Sequence, residues 1–324
     1  MPLDFPVPAP ARSTPGDWPE LRADAWRDTR DTLHMWTQVV GKVRLARAPH
    51  LNHWWQVPLY VTARGLTTSP MPDGGRTFQI DFDFLDHRLR IATSDGATRE
   101  LELGPRSVGR FYREVMAALR TLGIDVRIYT LPQEVPDPIP FERDEVHGAY
   151  DAAAASRFWQ VLVQGVRVLE EFRSEFLGKA SPVHFFWGSF DLAYTRFSGR
   201  PAPEHPGAPG VADFVTREAY SHEVHSVGFW PGGPPGTEAL FYAYAYPEPA
   251  GFSSARVAPD AAGWSTDLKE FVLPYESVRR AASPDDVVLE FGRSTYDAAA
   301  TLGRWDRAAL ERGTGRPRTP GPGR

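Results

Sequence analysis

Residues 78–84 read Phe-Gln-Ile-Asp-Phe-Asp-Phe, apolar at 78, 80, 82 and 84 and polar at 79, 81 and 83. Side chains alternate between the two faces of a strand, so this pattern demands a sheet with one buried and one polar face. Further along, Phe158, Leu162, Gly165, Leu169, Phe172 and Phe176 are spaced 4-3-4-3-4. That is the stripe of a helix lying on a core, predicted over about 151–177. A chain with both signals builds layers of helix on sheet.

The same two periods organise the rest. Trp26, Leu33, Trp36, Val40 and Val43 predict a helix over about 24–47, ended by Pro49. His53 to Thr67 reads as a strand. The Asp86-His87 pair turns the chain from 78–84 into a strand through Leu89 and Ile91, and Asp95-Gly96 is a hairpin signal before Leu101 and Leu103. A helix from Val108 stops at Gly123, and Ile124, Val126 and Ile128 give one more strand. Strands follow at 183–197, 240–246 and around Phe271 and Leu273, then a helix over 285–302 opened by Ser283-Pro284.

The fold class is α+β, with largely antiparallel sheets covered by helices. The order of elements repeats, giving two similar αβββα halves as an internal duplication would. Pro132, Pro136, Pro138 and Pro140 mark the boundary between them. The division is a flexible Pro-rich arm at 1–16, a first half at 17–130, a linker at 131–149, a second half at 150–305 and a disordered tail at 306–324.

Composition removes several function classes. The net charge of −5 opposes general phosphate-backbone binding, so no nucleic-acid partner is expected. Absence of cysteine excludes thiol catalysis, disulfides and Cys-ligated metal, and suits the cytoplasm. No signal peptide and no eighteen-residue apolar run is present, so no membrane partner is expected either. Neither a Gly-x-Gly-x-x-Gly nor a Walker loop follows a strand, and Ser189 lacks a Gly-x-Ser-x-Gly context.

Ser181 to Gly199 is aromatic, β-prone and rich in chemistry. His53 to Arg64 echoes it, each stretch opening with His and two aromatics and closing on an Arg. His53 and His184 thus hold matching positions, either as core histidines or as a pair meeting across a cleft. Trp187, Ser189 and Asp191 share one strand face and suit the lining of a polar organic pocket, unless Gly188 marks a bulge. Arg196 is an anchor for an anion or a strand-end ion pair. Tyr242, Tyr244 and Tyr246 form either a stacking wall for a ring or a packing stripe. Asp81 and Asp83 hold a hard cation or a neighbouring arginine.

His222, Glu223 and His225 form the most suggestive local cluster. A divalent metal is the cofactor to consider, held by His222 and His225 with His184 or Asp191 as the third ligand. Glu223 would then activate water, although the His-Glu-x-x-His spacing is absent. The alternative is a polar turn.

Several longer strings carry a resemblance: Thr32-Leu33-His34-Met35-Trp36, Asn52-His53-Trp54-Trp55, Ser181-Pro182-Val183-His184-Phe185-Phe186-Trp187-Gly188-Ser189, and Gly228-Phe229-Trp230-Pro231-Gly232-Gly233. Over about residues 18–305 the chain resembles an uncharacterised bacterial family catalogued only as a domain of unknown function. That resemblance implies no activity, cofactor or fold.

Three functions compete on the residues alone. One is a small-molecule enzyme using His184, Asp191, His222 and Glu223 as acid–base or metal-binding groups in an aromatic-lined cleft. Another is a non-catalytic small-ligand binder, with His53, Trp187, Ser189, Arg196 and Tyr244 against the ligand. The third is a structural or interaction protein whose aromatics are all core.

Overall fold

After helix α1 (Ala23–Arg47) the chain makes a 3-10 turn at Asn52–Trp54 and enters a six-stranded sheet. Its strands are β1 (Tyr60–Val61), β2 (Gly65–Thr67), β3 (Met71–Asp73), β4 (Arg76–Asp83), β5 (Arg88–Thr93) and β6 (Thr98–Glu102), followed by α2 (Val108–Thr121). An irregular stretch leads to α3 (Ala152–Ser174). A second six-stranded sheet then forms from β7 (His184–Phe186), β8 (Asp191–Pro201), β9 (His222–Trp230), β10 (Leu240–Tyr246), β11 (Gly263–Ser265) and β12 (Glu270–Pro274). Helix α4 (Asp213–Ala219) lies between β8 and β9, and α5 (Tyr275–Arg279), α6 (Pro284–Leu302) and α7 (Arg307–Leu310) close the chain. The computed structural model describes residues 12–233 and 236–312.

Strand order is β1-β2-β4-β5-β6 in the first sheet, with β3 also on β4, and β11-β12-β10-β9-β8-β7 in the second. Every pairing within them is antiparallel. The α+β class with antiparallel sheets and covering helices is therefore the fold. The alternating segment fills β4 and the residue after it as its pattern requires: Phe78, Ile80, Phe82 and, just past the strand, Phe84 are each at most 1% exposed. On the polar face Asp83 accepts from Arg64 at 2.6 Å, so this carboxylate is an ion-pair partner.

The two sheets meet edge to edge. Leu59, beside β1, exchanges two backbone hydrogen bonds of 2.9 Å with Phe185 of β7. The hydrophobic core is continuous across this junction. The rings of Trp26 and Phe158 lie 4.9 Å apart, joining α1 to α3. Gly41 of α1 admits the Trp187 ring, since a Cβ there would fall 2.2 Å from Trp187 Cδ1. No helix among the described residues is long and apolar enough to cross a membrane.

Six local expectations change. The strand expected over 183–197 is a hairpin, β7 and β8 joined by a turn at 187–190 with Phe190 at a left-handed φ of 59°, so Trp187 and Ser189 lie in the turn and not on a strand face with Asp191. His53 to Thr67 is not one strand, because His53 and Trp54 adopt left-handed φ values of 58° and 61°. Ile124, Val126 and Ile128 join neither sheet; their alternation records burial against the core rather than pairing. Residues 131–149 are no free linker: Phe141 and Asp144 are fully buried. The arm is docked from Arg12 on, with Ser13 donating its backbone N–H to Asp285 at 2.9 Å, while residues 1–11 lie outside the described residues. The expected tail starts as α7, whose neighbour Glu311 bridges Phe176; residues 313–324 lie outside the described residues.

Candidate functional site

The second sheet has two different faces. Leu192, Tyr194 and Arg196 of β8 point toward α3 and α6, while Asp191, Ala193, Thr195 and Phe197 point the other way. Ser226 of β9 and Tyr242 and Tyr244 of β10 share that second face. Above it lies a cavity of about 730 Å³, closed by the 52–57 turn, α4 and residues 127–134. Its size and aromatic walls suit an organic small molecule.

Asp191 begins β8 at the deep end. Its carboxylate accepts from the Ser189 hydroxyl and from the Tyr242 phenol, and no cation pairs with it among the described residues. Burial pushes its pKa up despite those two donors. Burial, and then the Asp191 charge, raise the Tyr242 phenol well above its usual value, so it remains a donor. Gly228 makes this contact possible: a Cβ there would sit 2.4 Å from the Tyr242 hydroxyl. Beyond Tyr242, the Tyr244 and Tyr220 hydroxyls bond each other at 2.8 Å.

Glu134 comes from the Pro-rich segment. It holds a left-handed φ of 55°, a conformation that costs a non-glycine residue. Helix α1 fixes it there through Gln38, which exchanges two 2.8 Å hydrogen bonds with the Gln133 backbone, and through Lys42, which donates to the Leu131 carbonyl at 2.6 Å. Its carboxyl lies over Gly188, where a Cβ would be 2.2 Å from Glu134 Oε1. The residue keeps accessible surface, which opens into the cavity, yet the protein crowded around the carboxyl desolvates it. Burial, then the Asp191 charge, push it up to about 7. Glu270 of β12 falls next to Tyr244 in the sheet and is raised to about 7 by the same two causes.

These acids predict a pH signature. Folded values near 7, above the usual 4.5, mean that both groups favour the fold while protonated. Their contribution is complete below about 4.5 and is lost as pH rises through about 7. The double variant Glu134→Gln, Glu270→Gln should therefore lose less melting temperature than the parent between about pH 5 and pH 8. Equal losses in the two proteins would contradict the desolvated placement.

The structure separates the predicted catalytic group. Antiparallel pairing sets the start of one strand against the end of the next, so Leu192 pairs with Phe229 while His222 pairs with Pro201. Asp191 therefore abuts the far end of β9 from His222 and Glu223, on the order of 20 Å away along the strand. Glu223 accepts instead from Arg200 at 2.6 Å and Ser198 at 2.8 Å. His225, three positions from His222 on a strand, faces the opposite side, where it bonds Thr295 at 3.2 Å. His184 is enclosed by Trp55, Tyr60 and Phe186, neither ring nitrogen has a partner, and burial lowers it to about 3. His184 and His222 flank β8 at different levels, His184 paired with Ala193 and His222 with Pro201, and a chain of ring contacts through Trp55 and His53 links them. The three histidines proposed for metal thus do not converge, and among the described residues no three His, Asp or Glu are grouped to hold a metal ion.

Of the ligand-binding expectations, His53, Trp187, Ser189 and Tyr244 line the cavity and Arg196 does not. His53 braces the wall: its Nδ1–H donates to the Ala219 carbonyl at 3.1 Å and its Nε2 accepts from Lys179 at 2.7 Å. Trp187 donates from Nε1 to the Val57 carbonyl at 2.8 Å. Arg196 is on the helix face, its guanidinium 3.5 Å from the Phe172 ring centroid.

A family model described as a family of unknown function (DUF5996) matches residues 18–312. The chain belongs to that family. No curated protein and no solved structure matches it. The match spans every element that lines the cavity of this DUF5996 chain, from α1 through β10. Glu134 and Lys42 were missed by sequence reasoning; Glu134 is one of two acids, with Asp137, in the proline run, and nothing local marked it or Lys42 as facing a cavity. Tyr242 was named from its stripe, and its close crossing over β9 had a signal in Gly228, since a glycine inside a strand marks close approach.

Proposed function

We propose that this protein is a small-molecule enzyme in which Asp191 and Glu134 form an acid–base pair. The observation that supports it is a buried carboxyl, without a cationic partner, sharing an aromatic-lined cavity with a second desolvated carboxyl. Two such acids cannot both ionise readily, so one proton is held near neutral pH, ready to be given to or taken from a ligand. Tyr242 and Ser189 orient Asp191, and the strained backbone of Glu134 keeps the second carboxyl aimed inward. The partner is then a small molecule rather than a nucleic acid or a membrane, and cytoplasmic residence fits a chain without cysteine. A shared origin of the two sheet-and-helix halves fits their common antiparallel plan.

The test is turnover of a metabolite mixture followed by mass spectrometry. The parent should deplete at least one component, and Asp191→Asn, if folded, should slow that depletion by about 10²–10⁴-fold, the usual share of general acid–base catalysis. Retention of a component without chemical change would replace the enzyme by a binder. Depletion unaffected by Asp191→Asn would remove the pair from the mechanism.

A further inference from the structure

The same cavity carries a buried cation as well as the buried Asp191 and the desolvated Glu134 carboxyl. Lys42 lines it from α1 and is only 4% exposed. Its ammonium donates to the Leu131 carbonyl and lies 5.1 Å and 5.7 Å from the Tyr129 and Phe141 ring centroids. It pairs with no carboxylate among the described residues, although Glu134 is only three positions beyond Leu131 in the chain. An ammonium has three donors, and one carbonyl satisfies one of them.

Opposite charges desolvated in one cavity would normally find each other, because leaving either unpaired costs several kcal/mol by order of magnitude. Here the scaffold holds them apart. Lys42 is tied to Leu131, Asp191 is held by Ser189 and Tyr242, and Glu134 is fixed between Gly188 and Gly210. Aromatic rings, among them Trp187 and Tyr220, form the walls around these groups.

The geometry points to a zwitterionic ligand with an aromatic or apolar body, its ammonium at Asp191 and Glu134 and its anionic group at Lys42. This deepens the acid–base reading and rests on it: the bound ammonium is the proton source or product that the carboxyl pair handles. Burial lowers Lys42 to about 8, which leaves it charged at neutral pH. The ring faces provide the cation–π surface that an ammonium favours when desolvated.

Calorimetric binding at about pH 7.5 of four matched indoles tests each charge separately. The probes are tryptamine (ammonium), indole-3-propionate (carboxylate), L-tryptophan (both) and 3-methylindole (neither). Tryptamine and indole-3-propionate should each bind about tenfold or more tighter than 3-methylindole, or about 1.4 kcal/mol. Asp191→Asn should erase the advantage of tryptamine alone, and Lys42→Met that of indole-3-propionate alone, with both variants checked for cooperative unfolding. L-tryptophan should lose affinity in both variants. If 3-methylindole binds as well as the charged probes, or if the variants change no preference, the zwitterion inference falls while a binding cavity stands. If none of the four binds, the inference also falls, and turnover of the metabolite mixture still decides the acid–base reading on its own.

Discussion

Gly228→Ala should destabilise the protein by about 3 kcal/mol or more, at the upper end of what overpacking a tight interior costs. Gly228 lies mid-sheet, paired with Ala193 on one side and Tyr242 on the other. An added Cβ would meet the Leu192 carbonyl oxygen at 2.1 Å and the Tyr242 hydroxyl at 2.4 Å. The first is backbone and cannot swing away, so β9 must move relative to β8. The second is the phenol that bonds Asp191, so the same methyl that loosens the sheet also disarms the site. Tyr242→Phe is the companion: it removes only the hydroxyl and should cost about 1–3 kcal/mol, because Asp191 loses a buried donor. Denaturant unfolding of the two variants measures both effects. A Gly228→Ala protein as stable as the parent would show that Tyr242 does not cross over β9 at this point.

Arg196→Ala should cost about 3–5 kcal/mol, the range for emptying a large buried site. The guanidinium is 2% exposed, packed 3.5 Å from the Phe172 centroid and 4.5 Å from that of Tyr296, and it donates to the Phe172 carbonyl. It joins β8 to α3 and α6. Arg196→Lys should recover only part of the loss, since a point charge cannot lie flat between rings. Arg196→Met should recover more than Lys, because it refills the volume without burying a charge. Denaturation midpoints order the three variants. Ligand affinity in the folded fraction should be unchanged, because Arg196 faces away from the cavity. A selective loss of affinity with full stability would restore it as an anion anchor.

What the sequence determined by itself was every element with a complete period. The alternation at 78–84 and the 4-3-4-3-4 stripe each specify one face, and a one-residue slip would expose Phe82 or Phe172. Hence β4, α1, α3 and α6 lie where their patterns place them. The face of Tyr242 and Tyr244 was legible in the same way, whereas Asp191 stood out by its residue type and not by period, since the stretch before it turns at 187–190. What only the tertiary structure decided was which chemistry meets. By sequence Asp191 groups with His222 in one site, but antiparallel pairing puts them at opposite ends of β9. Glu134 and Lys42 reach the cavity through backbone bonds to residues 131–133 and a left-handed φ. Such contacts have no period, because they depend on how two distant segments dock rather than on which face of one element is apolar.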